Sequence, residues 1–214
     1  MVGLLVMDYM KRSLYTASTE TTVSEALETL RKNKIRQLPV VSGDRLIGLI
    51  TEKQLLAVSP SPSTSLSTFE KNFFMDRILV SDVMVKFPLT VTPDTTIEEA
   101  ALYLREHKIG SVPVVEGDKL VGIITVTDIF DVLTKLFGYG KPGIRILIES
   151  EERVGLLIEV TRIIKELVLP VKTIIYYIKD DSKVKIKMRL DSNVDGEAVV
   201  KAMRKRGLKV SRII

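Results

Sequence analysis

Apolar positions set the reading of this chain. From Ile109 to Asp128, IGSVPVVEGDKLVGIITVTD, two runs rich in Val and Ile flank a Gly117-Asp118 dipeptide. That pattern predicts a hairpin with strands Ser111–Val115 and Leu120–Thr125. Thr125-Val126-Thr127-Asp128 then opens a helix, Ile129–Phe137, with apolar residues at helical spacing. The stretch Ile35–Gln54, IRQLPVVSGDRLIGLITEKQ, carries the same pattern 74 residues earlier. Aligned without a gap, Asp8–Gln54 and Asp82–Asp128 are identical at 20 of 47 positions. A duplication that strong sets the architecture before any single residue is interpreted.

Each copy repeats one grammar. Val6–Met10 and Ser81–Met84 are short lead-ins, and Leu14–Ala17 and Leu89–Thr92 are strand candidates. Thr22-x-x-Glu25 and Thr96-x-x-Glu99 have capping-box spacing, a hydroxyl three residues before a carboxylate. The helix Val23–Asn33 turns Val23, Ala26, Leu27 and Leu30 inward; its counterpart, running to His107, turns in Ile97, Ala100, Ala101 and Leu104. The hairpin Gln37–Thr51 and a helix to about Val58 complete the first copy. Ser59-Pro60-Ser61-Pro62-Ser63-Thr64-Ser65 reads as a surface connector. Thr68–Leu79 returns as a helix, carrying Phe69, Phe73 and Phe74 to the core or to a partner.

The run Pro113-Val114-Val115 with Gly122-Ile123-Ile124-Thr125-Val126-Thr127-Asp128, and its partner Pro39-Val40-Val41 with Gly48-Leu49-Ile50-Thr51-Glu52-Lys53-Gln54, resemble CBS motifs. Two in tandem resemble a CBS pair, which implies two βαββα units packed about a pseudo-twofold axis. The resemblance covers about residues 4–137. The expected division is 1–58 for motif 1, 59–79 for the connector and its helix, and 80–138 for motif 2.

Gly138-Tyr139-Gly140-Lys141-Pro142-Gly143 is a break. Beyond it, residues 143–214 predict strand Ile144–Glu149, helix Val154–Leu167, strand Val171–Ile178, turn Lys179–Ser182, strand Lys183–Leu190, helix Gly196–Arg206 and strand Leu208–Ile213. That βαββαβ order is the ferredoxin-like split. Lys183–Leu190 alternates polar with apolar, as an antiparallel strand wet on one face does. With Glu152-Arg153-Val154-Gly155-Leu156-Leu157 at its first strand-to-helix turn, this part resembles an ACT domain. The expected whole is an α/β (α+β) chain that resembles a CBS pair followed by an ACT domain, an order that resembles the acetoin-utilisation regulatory proteins.

The CBS resemblance implies an adenine nucleotide or nucleoside as ligand. Carried over, Asp128 would accept from the ribose hydroxyls, and Thr125 and Thr127 would donate to the phosphate near a helix N-terminus. Ile109, Ser111, Val112 and Pro113 would wall the adenine slot, and Thr90 would close it. In the first copy Gln54 and Lys53 replace the acid and the second hydroxyl, which leaves a weaker site of Thr51, Gln54, Arg36 and Pro39, with Lys34 and Arg36 in reach of a phosphate. Thr125-x-x-Asp128 and Thr51-x-x-Gln54 are also capping boxes that would serve a helix with no ligand, and sequence leaves both roles open.

Composition narrows the chemistry. There is no cysteine and one histidine, His107, which excludes thiolate sites, His-based metal clusters and a serine triad within one chain. His107 falls near a helix end and reads as solvated. Glu151-Glu152 and Asp180-Asp181 also read as solvated pairs, so the chain is not expected to be an enzyme. The 45% apolar and 28% charged content fits an ordinary globular protein. No apolar run reaches the roughly 20 residues that span a bilayer. MVGLLVMDYMKR is too short, and lacks the basic start, to be a signal peptide. A cytoplasmic protein away from membranes is expected. Three Asn, two Gln and no Cys lean towards a thermophile.

The net charge of +5 is spread along the chain and reads as a solvated surface. The run Lys201, Arg204, Lys205, Arg206, Lys209, Arg212 supports an alternative, a nucleic-acid-binding regulatory factor. The leading expectation is a regulatory protein that binds AMP, ADP, ATP or a related adenosine compound, without cofactor or metal. It would form a homodimer and act on a regulated enzyme or transcription factor.

Overall fold

The computed structural model describes residues 4–60, 67–140, 142–180 and 183–213. The chain divides into two compact units, Met1–Phe130 and Asp131–Ile214.

The first copy runs through helix α1 (Val6–Tyr9), α2 (Val23–Asn33), β1 (Gln37–Ser42), β2 (Arg45–Thr51) and α3 (Glu52–Val58); α4 (Thr68–Met75) follows the connector. The second runs through α5 (Val80–Val83), β3 (Val85–Lys86), α6 (Ile97–Glu106), β4 (Ser111–Glu116), β5 (Lys119–Thr125) and α7 (Val126–Leu136). Both capping boxes form: Thr22 Oγ1 accepts from Glu25 N–H at 3.2 Å, and Thr96 Oγ1 from Glu99 N–H at 3.2 Å. Each carboxylate in turn accepts from its threonine's backbone N–H, at 2.8 and 3.0 Å. All four predicted inward positions of α2 are buried; in α6 Ile97, Ala100 and Leu104 are buried and Ala101 partly so.

The strand candidates Leu14–Ala17 and Leu89–Thr92 shrink to single parallel bridges, Ala17 to Val40 and Val91 to Val114. Each is tied by two backbone bonds, from Ala17 N–H to Pro39 O and from Val41 N–H to Ala17 O, and likewise for Val91 with Pro113 and Val115. Pro39 and Pro113 have no N–H to donate, so a longer ladder has nothing to grow from on this side.

The helix expected over Thr68–Leu79 stops at Met75. Phe73 and Phe74 remain about half exposed rather than entering the core, and Arg77 lies over the Phe73 ring at 4.2 Å. Phe69 lies outside the described side chains, and of the connector only Ser59 and Pro60 are described. Met75 and Ile78 do reach the first copy's core beside Leu27, Leu30, Leu38, Ile50 and Leu55.

The two hairpins join in one sheet of order β1-β2-β5-β4, with β3 added on β2. Contacts at the join obey the 74-residue offset. Arg45 pairs with Asp118 and Lys119 with Asp44, both at 3.2 Å. Leu46 N–H donates to Asp118 O and Leu120 N–H to Asp44 O, both at 3.0 Å. Gln37 Nε2 donates to Ser111 Oγ, its own counterpart in the other copy. Residues that exchange partners under one offset define a pseudo-twofold axis through the join.

The lead-ins are exchanged between copies. Val6 N–H donates to Thr95 O and Val80 N–H to Thr21 O, both at 2.8 Å. Lys11 bridges to Ile123, and Val85 pairs with Leu49. Gly122 and Gly48 permit this, because a Cβ on either would collide with Met10 or Met84 respectively. Each copy's sheet is therefore completed by the other copy's lead-in.

The second unit contains β6 (Ile144–Glu151), α8 (Leu156–Glu166), β7 (Val171–Asp180), β8 (Lys183–Leu190), α9 (Gly196–Lys205) and β9 (Lys209–Ile213). The sheet is antiparallel with order β7-β8-β6-β9, which places the first and third strands centrally, as a split βαββαβ does. Ile146, Ile148, Val184, Ile186, Met188 and Leu190 meet Leu156, Val160 and Ile163 of α8 and Val199, Val200 and Met203 of α9 in its core. The helix expected from Val154 begins at Leu156, because Gly155 takes a left-handed φ of 85° as N-cap and leaves Val154 fully exposed. The Gly138–Gly143 break is shaped by Arg189: a Cβ on Gly138 would meet its guanidinium, and one on Gly143 would also meet the Leu190 carbonyl. Arg189 is 6% exposed and donates to Pro142 O at 2.6 Å.

Candidate functional site

The first turn of α7 gathers the predicted donors and acceptor. Asp128 Oδ2 accepts from Thr125 N–H at 2.8 Å and from Thr125 Oγ1 at 2.6 Å, while Thr125 Oγ1 accepts from Asp128 N–H at 3.2 Å. The capping role is therefore filled. Burial sets this box apart. Glu25 and Glu99 cap in the open, whereas Asp128 is only 8% exposed. Its second oxygen, Oδ1, faces Lys11 Nζ at 3.4 Å. Sequence reading missed Lys11, because it arrives from the other copy's lead-in.

Around this turn, Ser111 is the cross-strand partner of Thr125, and Pro113 of Ile123. Val126 N–H donates to Gly110 O at 3.0 Å, which holds the Ile109–Gly110 corner against the helix start. Thr90 is half-buried and precedes Val91, which is bonded to Pro113. Thr127 is exposed on the first turn. Thr125, Thr127, Asp128, Thr90, Ile109 and Pro113 thus stand on elements that are tied together. Ser111 is 1% exposed with its hydroxyl taken by Gln37, and Val112 is fully buried opposite Ile124.

The CBS domain family matches residues 6–61 and 80–135, more than half of the chain. The chain belongs to the CBS domain family. A CBS domain-containing protein of Dictyostelium discoideum is 33% identical over 135 residues, covering 62% of this chain and 93% of that one. A Vibrio cholerae protein that bears the name acetoin utilization protein (AcuB) is 30% identical with a TM-score of 0.54, over 64% of this chain and 95% of its own. CBSX2, an Arabidopsis thaliana CBS-pair protein, in its complex with AMP, is 29% identical with a TM-score of 0.53, over 63% of this chain and 99% of its own.

The corresponding turn at the offset position is built differently. Gln54 Oε1 accepts from Thr51 N–H at 2.9 Å and from its hydroxyl at 2.8 Å, while Gln54 Nε2 donates to Val83 O at 3.4 Å. Arg36 is exposed and its carbonyl accepts from Glu52 N–H at 2.9 Å. Pro39 pairs with Leu49, and Lys34 is exposed in a left-handed C-cap, φ 52°. The amide is thereby used at both ends, and the position equivalent to Lys11 is Val85.

The basic run of the second unit is largely occupied or mixed with acid. Arg206 pairs with Glu166, and Arg204 donates to Val210 O at 3.3 Å. Lys201, Arg204 and Lys205 share an open groove with Asp195 and Glu197. Arg212 lies outside the described side chains. Among the described residues, no group of three His, Asp or Glu is placed to hold a metal ion, and no helix is long and apolar enough to cross a membrane.

Proposed function

We propose that this CBS pair is a regulatory sensor of an adenine nucleotide, and that ligand binding is dominated by the Asp128 cleft. The observation that carries the reading is the burial of Asp128: a capping carboxylate needs no shelter, yet this one is withdrawn from water and keeps one oxygen directed away from its cap. AMP in the related CBSX2 complex supplies the ligand class. In this reading Asp128 accepts from the ribose, Thr127 donates to the phosphate, Thr125 fixes the carboxylate, and Ile109, Pro113 and Thr90 flank the base. Buried Val112 supports that wall from beneath.

Calorimetry with AMP tests it. Asp128→Ala should cost roughly 1.5–3 kcal/mol, the worth of hydrogen bonds to a charged group, or about a tenfold to hundredfold loss in affinity. Gln54→Ala should change affinity little. Equal affinity in wild type and folded Asp128→Ala would leave the carboxylate as a helix cap only.

The second unit, in the same proposal, is an ACT-like module that joins two chains or binds a small effector. Its strand order supports the fold, and its edge supports the pairing. Ile174, Tyr176 and Ile178 lie on the core face of edge strand β7, opposite Met188, Ile186 and Val184, yet remain 36–53% exposed. Leu157 and Ile158 on α8 are exposed as well. An unpaired strand edge beside apolar surface is what a second copy covers. The output is a coupling between ligand and assembly that acts on an enzyme or a transcription factor.

A further inference from the structure

The exchange of lead-ins delivers one side chain from each CBS copy to the other's cleft. Lys11 is fastened to β5 by two backbone bonds, its N–H to Ile123 O at 2.9 Å and Ile123 N–H to its carbonyl at 3.0 Å. Met10, immediately before it, is locked over Gly122. The backbone of Lys11 is thus fixed two residues from Thr125, and its ammonium reaches Asp128.

The fold does not need that charge to hold the lead-in. The Lys11 side chain is 60% exposed, and an ion pair so open to water contributes little to stability. The offset position confirms this, since Val85 makes the same backbone pairing to Leu49 with no charge. One cleft therefore carries a carboxylate and a cation, the other an amide and a valine.

Resting on the adenine-nucleotide reading of the Asp128 cleft, we infer that Lys11 is a specificity determinant. It makes this cleft prefer adenosine compounds that carry a phosphate over those that do not. A ligand whose ribose hydroxyls bond Asp128 brings its 5′ substituent on the same sugar, within reach of a four-carbon stem that ends at the carboxylate. On a neutral nucleoside the ammonium has only Asp128 and water to meet. On a nucleotide it gains a charge-assisted bond to phosphate. The lysine can leave Asp128 for the phosphate at small cost, because Oδ1 then accepts from the ribose.

The experiment measures AMP and adenosine affinities by calorimetry on the full chain, in wild type, Lys11→Met and Lys11→Arg, with melting curves to confirm the fold. Lys11→Met should weaken AMP by roughly tenfold, within the range of bonds to a charged group discounted for exposure. It should leave adenosine within about twofold, since a neutral nucleoside offers the ammonium no anionic partner to lose. Lys11→Arg should keep the preference, and the salt dependence of AMP binding should flatten in Lys11→Met. Equal losses for both ligands would overturn the inference and leave Lys11 as a strut for the lead-in. An unchanged ratio would overturn it too. If neither compound binds the wild type, the reading of the cleft fails first; if both bind and only the ratio is indifferent to Lys11, the cleft stands and this inference falls.

Discussion

The Thr-x-x-acid spacing caps a helix wherever it occurs in this chain, and burial separates its copies. At Thr96 the box is wet, and the backbone N–H and then the hydroxyl of Thr96 hold the Glu99 carboxyl below its ordinary value of 4.5. A lowered folded-state value means this cap stabilises the fold above about pH 4.5 and loses its contribution as acid carries the pH through the lowered value. Glu99→Gln should therefore flatten the acid limb of a melting-temperature profile while changing little near neutrality; an unaltered acid limb would refute the assignment. Gly122 makes a second case. Adding a methyl there should cost about 1–3 kcal/mol, as overpacking does, and Met10→Ala in the same chain should recover part of it. Strictly additive losses in that cycle would show that the two residues do not meet. The hydroxyl and carboxyl of the Asp128 turn were legible, since spacing along one helix turn is a local property. Lys11 was not, because nothing in a local pattern tells which strand a lead-in will cross.

Whole elements follow the same division. The helices with a capping box and an apolar stripe, Val23–Asn33 and Ile97–Glu106, lie where spacing puts them, because cap and stripe are both written in adjacent residues. The short strand candidates were over-read. An apolar tetrad such as Leu14–Ala17 has the composition of a strand, but whether it pairs depends on a neighbour, and Pro39 withholds the donor. In the second unit the βαββαβ order was legible from alternation, while the start of α8 moved two residues because Gly155 takes a conformation that apolar spacing cannot reveal. The break at Gly138–Gly143 was legible as a break; its shape was not, since Arg189 comes from β8. Gly143→Ala should destabilise the second unit, because φ is 153° and a Cβ would meet the Leu190 backbone carbonyl. Retained melting temperature and unchanged amide exchange on β8 would contradict that contact.

At the scale of the molecule, duplication was written plainly in the sequence and the exchange between copies was not. Periodicity shows that two segments are alike, not which half of each belongs to which. Light scattering at micromolar concentration should show a dimer or larger, and a particle of 24.0 kDa alone would rule out the proposed pairing through β7. The exchange itself bears on how the chain could be divided. Cut between Pro60 and Ser67, it yields two peptides that each lack a piece of their own CBS sheet, so coexpressed halves should copurify, and the N-terminal half alone should not melt cooperatively. In assembly terms the pair is a swapped dimer made covalent. The tether turns a trade between two chains into a trade within one, which makes the pairing intramolecular. It also releases the copies from having to be identical. That release is what lets one turn carry Asp128 and Lys11 while its twin carries Gln54 and Val85, a difference that two copies of a single gene product could not hold.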